Sequence, residues 1–412
     1  MKPPPTGAKS LKDTARSYSQ SLASYGLIDI GLVAALETSA LGMLTPVLPL
    51  YLKDEIGALP EQIGLTFTVF FIALAAGEFG WGMLSDRIGI KIPLMVGTML
   101  AAITTAGFVL TKNINLLYVI NFFRALGTSA LFPTARGHIG STIPLRSKAT
   151  FMAYYMTLQS LGRTVGSFFG GIIGEQSMEM VFIIAGLALI AAFTVTSLSF
   201  KSDVFKVKKP EPAGDTSDPP ARFSRSALMN LVILGLTITM FNLTFTVRNS
   251  FLPLHAVDAA SATVAQVGYL FSAWGLITLI CTLPLGHLAD RLGYQRAMTI
   301  GQLILAVTMA GFAYAHTFTF MLLIMVVNSL SNCVFRPAAA ARFSQLMPRR
   351  RQATAMGILG VFEDVGNMIG PAVAGFIWGG VNGPALTFLL GSACATLGAG
   401  LSLVKPRGQK SS

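Results

Sequence analysis

Residues 82–91 read GMLSDRIGIK, and residues 286–295 read GHLADRLGYQ. Each is a short charged cluster closing a long apolar run, and the second is the first written again. Gly82, Asp86, Arg87 and Gly89 recur as Gly286, Asp290, Arg291 and Gly293, at a constant offset of 204 residues. The same offset carries Leu48-Pro49-Leu50 onto Leu252-Pro253-Leu254, and Gln62 and Gly64 onto Gln266 and Gly268. It also carries Pro133 onto Pro337, and Gly162, Gly166 and Gly171 onto Gly366, Gly370 and Gly375. One fixed offset held from residue 48 to residue 171 marks a duplicated chain. Parallel repeats of this kind in a membrane protein place a site near the midplane between them.

The composition agrees. Of the 412 residues 53% are hydrophobic and 12% charged, and the mean hydropathy is +0.64. Soluble proteins carry about 25% charged residues, and a spanning helix needs about 20 apolar ones. Apolar runs predict helices 1 to 6 at 26–50, 63–84, 92–111, 115–138, 150–174 and 179–200. Helices 7 to 12 follow at 227–254, 267–288, 297–315, 318–341, 354–379 and 384–404. The expected organisation is an all-α membrane protein of twelve transmembrane helices in two pseudo-symmetric bundles, 26–200 and 227–404. A Pro- and charge-rich linker, 201–226, joins them, between a tail at 1–25 and a tail at 405–412. The first 22 residues lack an apolar stretch, so no cleaved signal peptide is expected.

The basic residues orient the chain. Of 30 Lys and Arg, 24 fall in the two tails and in alternate loops, while only Lys53 and Lys112 fall on the opposite side. By the positive-inside rule both termini are expected in the cytoplasm, with the protein in the inner (cytoplasmic) membrane. The same distribution explains the net charge of +12 without nucleic acid.

With the doubled loop on the page, the chain resembles the major facilitator superfamily. The residues carrying the resemblance are Gly82, Asp86, Arg87, Gly89 and Lys91, their echo at Gly286, Asp290, Arg291 and Gly293, and Arg124 with Gly127 and Pro133. PVLPLYL at 46–52 and Arg124 are most similar to the twelve-helix drug–proton antiporters. Their helix 5 signature has Gly-Pro, and here Ser167 follows Gly166; Gly370-Pro371 occurs in the other half. The resemblance implies two bundles rocking about a central cavity. It implies that Asp86 meets the start of helix 11, near Gln352-Ala353-Thr354, and by symmetry that Asp290 meets the start of helix 5, near Lys148-Ala149-Thr150. An acid is favoured at a helix N-terminus. A tight topogenic turn is the plainer reading of the motif.

Ionisable groups inside the membrane cost about 2.5–3.5 kcal/mol each and need a partner, water or a role. Glu37 is central in helix 1 and has no opposite charge within one turn, which makes it the first proton-coupling candidate. Glu363 and Asp364 are second, and Arg124 resembles the arginine implicated in proton handling in the antiporters. Glu78 lies in helix 2. Gln159 and Arg163 share one face of helix 5, and the offset maps them onto Glu363 and Asn367. Asn328, Asn332 and Arg336 form a stripe along helix 10, and Arg248 lies in helix 7. These polar residues suit a wet cavity; hydrogen bonding within a bundle is the alternative.

No P-loop and no catalytic constellation is found, so neither ATP-driven transport nor enzymatic activity is expected. The four histidines and three cysteines lack ligand spacing, so no metal site and no cofactor is expected. The favoured function is proton-coupled export of small amphipathic molecules by alternating access, by a monomer in the bilayer. Its partners are a small-molecule or ion substrate and protons. The alternatives are an importer or facilitator of a small polar or anionic solute, metal ion or metal chelate, and a non-transporting membrane sensor or scaffold.

Overall fold

A computed structural model describes residues 27–142, 145–199, 225–346 and 352–404, with side chains over 27–139, 151–199, 229–345 and 357–404. The two tails and residues 201–224 of the expected linker lie outside the described residues.

The described chain is helical throughout. The helices are α1 Leu27–Asp54, α2 Pro60–Ile88, α3 Lys91–Gly107, α4 in two pieces (Ile114–Thr128 and Leu131–Thr142), α5 Leu145–Gln176 and α6 Met178–Ser199. They continue as α7 Arg225–Ala260, α8 Val264–Leu292, α9 Tyr294–Ala313, α10 Phe318–Leu346, α11 Gln352–Trp378 and α12 Gly383–Leu403. Among the described residues, all but α5 and α11 are long and apolar enough to cross a membrane. Those two carry Gln159, Arg163, Glu363, Asp364 and Asn367 in their middles.

Several helices run past their expected bounds, α1 and α7 among them. Expected to end at 50 and 254, α1 runs on to Asp54 and α7 to Ala260, with Pro49 and Pro253 inside. Stopping a helix in lipid strands backbone donors and acceptors, whereas neighbouring helices tolerate a proline. At the loops the doubled motif does what its glycines suggest: Gly89 and Gly293 close α2 and α8 at φ 83° and 85°, a conformation open to glycine. Gly82 and Gly286 carry no such demand. The paired glutamines also gain a reason. The Gln62 side chain accepts the Leu59 N–H at 2.9 Å, and Gln266 accepts the Thr263 N–H at 3.0 Å, so each caps its helix start.

Packing repeats with the sequence. In the first six helices α1 packs on α5 and α6, α3 on α4 and α6, and α2 on α4; in the second six α7 packs on α11 and α12, α9 on α10 and α12, and α8 on α10. Gly162 and Gly166 press on the backbone of Ala35 and Ser39, and Gly366 and Gly370 press on that of Thr239 and Leu243, again 204 residues on. Between the sets, α5 meets α8 and α2 meets α11. Gly171 faces Gly268, and Gly375 faces Gly64, backbone to backbone. The Thr68 hydroxyl donates to the Met368 carbonyl at 2.9 Å, and its mate Ser272 donates to the Thr164 carbonyl at 3.2 Å.

All of these contacts between the sets lie toward the end away from the basic loops, and polar clamps reinforce that end. Lys53 pairs with Asp258, and the Ala265 N–H at the start of α8 donates to Glu175 at 3.0 Å. Lys112 bonds Glu179 at 2.9 Å and Glu55 at 3.2 Å, and the bond to Glu179 holds its ammonium above the usual lysine range. At the basic end a Cβ added to Gly80, Gly286, Gly357 or Gly360 would meet nothing within 4 Å. Asp86 and Asp290 are exposed there. The side chains at 148–150 and 352–354, expected to meet these acids, lie outside the described residues. Among the described residues, the two sets are thus joined at the end away from the basic loops.

Overpacking a tight contact costs about 1–3 kcal/mol. Gly64→Val, whose Cβ would collide with the Pro371 carbonyl, is therefore expected to open the joined end. Spin labels at Leu59→Cys and Val381→Cys should then report a longer mean distance than in the parent; an unchanged distance would contradict the seal.

Candidate functional site

Several polar side chains sit at one depth. Glu37 is ten residues into α1, Glu78 and Arg336 are ten residues before the ends of α2 and α10, and Glu363 and Asp364 are eleven and twelve into α11. At 1.5 Å per residue each lies about 15 Å from the basic end. The Arg163 carbonyl rests against Gly42, about a turn beyond Glu37 on α1.

Glu37 is 1% exposed, and neither of its carboxyl oxygens has a hydrogen-bond partner. No ion pair with an arginine forms among the described residues. Tyr155, also buried, lies within electrostatic reach of Glu37, Glu78 and Arg136, and its hydroxyl accepts a bond from Gln159 Nε2 at 2.9 Å. A buried, unpartnered acid thus lies within electrostatic reach of Tyr155, which bonds the half-exposed Gln159.

The arginines are handled differently. Arg124 is 4% exposed; its Nε donates to Asn121 Oδ1 at 2.9 Å, and its guanidinium lies 4.6 Å from the Phe70 ring and 5.7 Å from the Phe108 ring. Asn121 in turn donates to the Thr66 carbonyl at 2.7 Å. In the second half Arg248 is sealed completely, 4.7 Å from the Phe245 ring and 5.0 Å from Trp274. It donates to Asn328, and to Asn249 Oδ1 at 2.6 Å, while Asn328 donates to Thr308 at 2.8 Å. Aromatic faces and amide oxygens attract a guanidinium without neutralising it. The offset relates the two arrangements: Phe70 corresponds to Trp274, and Arg124 to Asn328.

The expected lining set therefore divides. Arg248 and Asn328, expected at a cavity wall, are instead packed among α7, α8, α9 and α10 in this state. Asn332 is 9% exposed with Oδ1 unpartnered. Arg336 is exposed, donates to Asn242 at 3.2 Å, and lies 5.6 Å from the Phe245 ring. Gln159, Arg163, Glu363, Asp364 and Asn367 are half-exposed. Two electrostatic couplings cross between the sets: Arg163 with Arg336, and Glu78 with Glu363 and Asp364. Each coupling brings side chains of the two sets near one another. Arg124 and Glu37 are not brought together. Sequence reading missed Tyr155, Asn121, Asn242 and the two ring platforms. Phe70 and Trp274 had a signal, since they are aromatic at the 204 offset.

The profile of the Major Facilitator Superfamily matches residues 30–258 and again 234–412, most of the chain. The chain belongs to that superfamily. Superfamily members are transporters and not enzymes. An uncharacterized MFS-type transporter of Methanocaldococcus jannaschii is 23% identical over 342 residues, covering 82% of this chain and 86% of that protein. The quinolone resistance protein NorA of Staphylococcus aureus is 25% identical over 347 residues, with the same coverage. Among solved structures, the nucleoside transporter NupG superposes with a TM-score of 0.75 at 14% identity, covering 92% of this chain and 98% of its own. A POT family transporter in complex with 5-aminolevulinic acid gives 0.78 at 13%, covering 92% and 96%. At these identities the structures establish the superfamily fold. The chain is a multi-pass membrane transporter of that fold, with a small molecule as its cargo.

The sealed guanidinium sets a stability test. Hydrogen bonds to a charged group are worth about 1.5–3 kcal/mol. Asn328→Leu should lower the unfolding temperature of the protein in nanodiscs. Adding Arg248→Met should restore most of it, because the unpaired charge then disappears. Additive losses in the double variant would show that the pair is not coupled.

Proposed function

We propose that this protein exports small amphipathic molecules in exchange for protons, its two six-helix halves rocking about the gap between α2, α5, α8 and α11. The observation that carries the reading is Glu37, buried with both oxygens unpartnered at the depth of the gap. A carboxylate with neither cation nor donor in a dry site is too costly to stay charged. Glu37 therefore holds its proton in this state and releases it when water or a cation reaches it. Similarity to the quinolone resistance protein NorA supports export and an amphipathic cargo. With the basic loops in the cytoplasm of the inner membrane, as positive-inside counting requires, the joined end faces outward and the gap opens inward. Exposure of Asp86 and Asp290 fits that state, since a latch at this end is released when it opens. The protein works as a monomer, with both termini cytoplasmic.

A second reading has its own support. Arg163 and Arg336 form no ion pair among the described residues, and fixed cations suit uptake or facilitated movement of an anionic solute.

Proteoliposomes with an imposed pH gradient test the coupling. Gradient-driven flux of a fluorescent amphiphile should collapse in Glu37→Gln while exchange without a gradient persists; full flux in the variant removes Glu37 from the role. Asp86→Asn should change the rate of switching, read by single-molecule distance fluctuations at the basic end, far more than substrate affinity. An effect on affinity alone would contradict the latch.

A further inference from the structure

The gap is electrically lopsided. Glu78, Glu363 and Asp364 crowd the α2–α11 side, where their like charges interact. The α5–α8–α10 side carries Arg163 and Arg336. Arg163 and Arg336 lie within electrostatic reach of one another, and both α5 and Phe245 pack against the same stretch of α8. Ser272 donates to the Thr164 carbonyl, next to Arg163. Trp274, on the same stretch of α8, lies 5.6 Å from the Phe245 ring, and Arg336 lies 5.6 Å from that ring as well.

Neither guanidinium forms an ion pair among the described residues. Arg124 and Arg248, also unpaired, are buried and spread over two rings each. Arg163 is half-exposed and Arg336 exposed. One turn from Arg336, the buried Asn332 has an unpartnered Oδ1. Two like charges at this depth repel, and intramembrane charges mark sites of function. A guanidinium fork matches the two oxygens of a carboxylate. Phe245 is half-buried beside it and offers an apolar face.

We propose that Arg163 and Arg336 form a subsite for the carboxylate of an amphipathic substrate. Phe245 packs against the substrate's apolar body, and Asn332 accepts from an N–H or O–H beside the carboxylate. The inference rests on the reading that the gap carries the transported molecule, and it adds the charge of that molecule.

The test is equilibrium binding without any gradient. The full chain in nanodiscs is titrated with 1-naphthylacetate, its neutral amide and 1-naphthylmethylammonium, read by calorimetry against empty nanodiscs. Charge-assisted hydrogen bonds are roughly twice as strong as neutral ones, so the acetate should bind about tenfold more tightly than the amide. Arg163→Gln and Arg336→Gln should each weaken the acetate by about tenfold and leave the amide and the ammonium within about twofold. Equal losses for all three ligands, or acetate no tighter than amide in the parent, would overturn the subsite, as would no acetate binding. Should a glutamine variant fail to fold, Arg163→Lys and Arg336→Lys keep the charge and lose the fork. Selective weakening of the acetate then supports the subsite, and unchanged acetate binding overturns it. Gradient-driven flux of the ammonium, untouched by either arginine variant, would sink the subsite and leave export standing. Selective acetate binding without flux under any gradient would do the reverse.

Discussion

Glycine backbones meeting across the two halves hold this molecule in its present shape. In lipid there is no hydrophobic drive between helices, so association relies on close van der Waals packing and interhelical hydrogen bonds. Gly64 against Gly375 and Gly171 against Gly268 supply the first. The hydroxyls of Thr68 and Ser272 supply the second. The contacts come as two equal sets related by the repeat, so neither helix pair closes the end alone. Stiff helices joined at one end by such contacts diverge toward the other. That divergence exposes residues which a tight bundle would bury, Arg336 and the Glu363–Asp364 pair among them.

The charges in this frame follow two policies. Arg124 and Arg248 are held by rings and amide oxygens, which tolerate a cation but do not cancel it, and the Arg248 Nε is left without a partner. The offset shows how the halves diverged. The ring platform stays in place as Phe70 and Trp274, while the cation above it comes from α4 in one half and from α7 in the other. Asn328, at the position of Arg124, becomes the acceptor that holds Arg248. Because arginines are held this way, the carboxylates are not consumed as their counter-ions. Glu37, Glu78, Glu363 and Asp364 all remain without an ion pair among the described residues.

Much of the fold was legible because repetition is a strong signal. Apolar runs located the twelve helices, the single offset divided them into two halves, and glycines paired by that offset proved to be the ones that touch. Apolar runs placed several helix ends short, because the helices continue past their apolar stretches into the polar residues beyond, as α1 does to Asp54 and α10 to Leu346. The site was less legible. Asn328, Asn332 and Arg336 at four-residue spacing read as one wet stripe, but each step turns about 40° from 3.6-residue geometry. Over two steps that drift carries the stripe from the bundle interior at Asn328 to the gap at Arg336. Counting basic residues oriented the chain and said nothing about Lys53 and Lys112. Partners from elsewhere in the chain, Asp258 in α7, Glu179 in α6 and Glu55 after α1, make both into clamps.

Comparing Glu37 with its own repeat sharpens its meaning. The offset places Phe241 at the equivalent position, and Phe241 is fully buried, stacked on Phe335 with ring centroids 4.0 Å apart. The second half thus fills this place with an apolar ring and folds around it. An acid at the same place in the first half is therefore not demanded by the architecture, which accepts a hydrophobic side chain there. Burying a carboxyl group without partners is costly, and nothing in the packing of α1 on α5 offsets that cost. The cost has a purpose if the acid exchanges a proton as the halves rock, for then a site that is dry in one state and wet in the other is what the task requires. On that view the halves divide the work. The first carries the exchangeable proton at Glu37, and the second carries Arg336, the most exposed of the cations facing the gap.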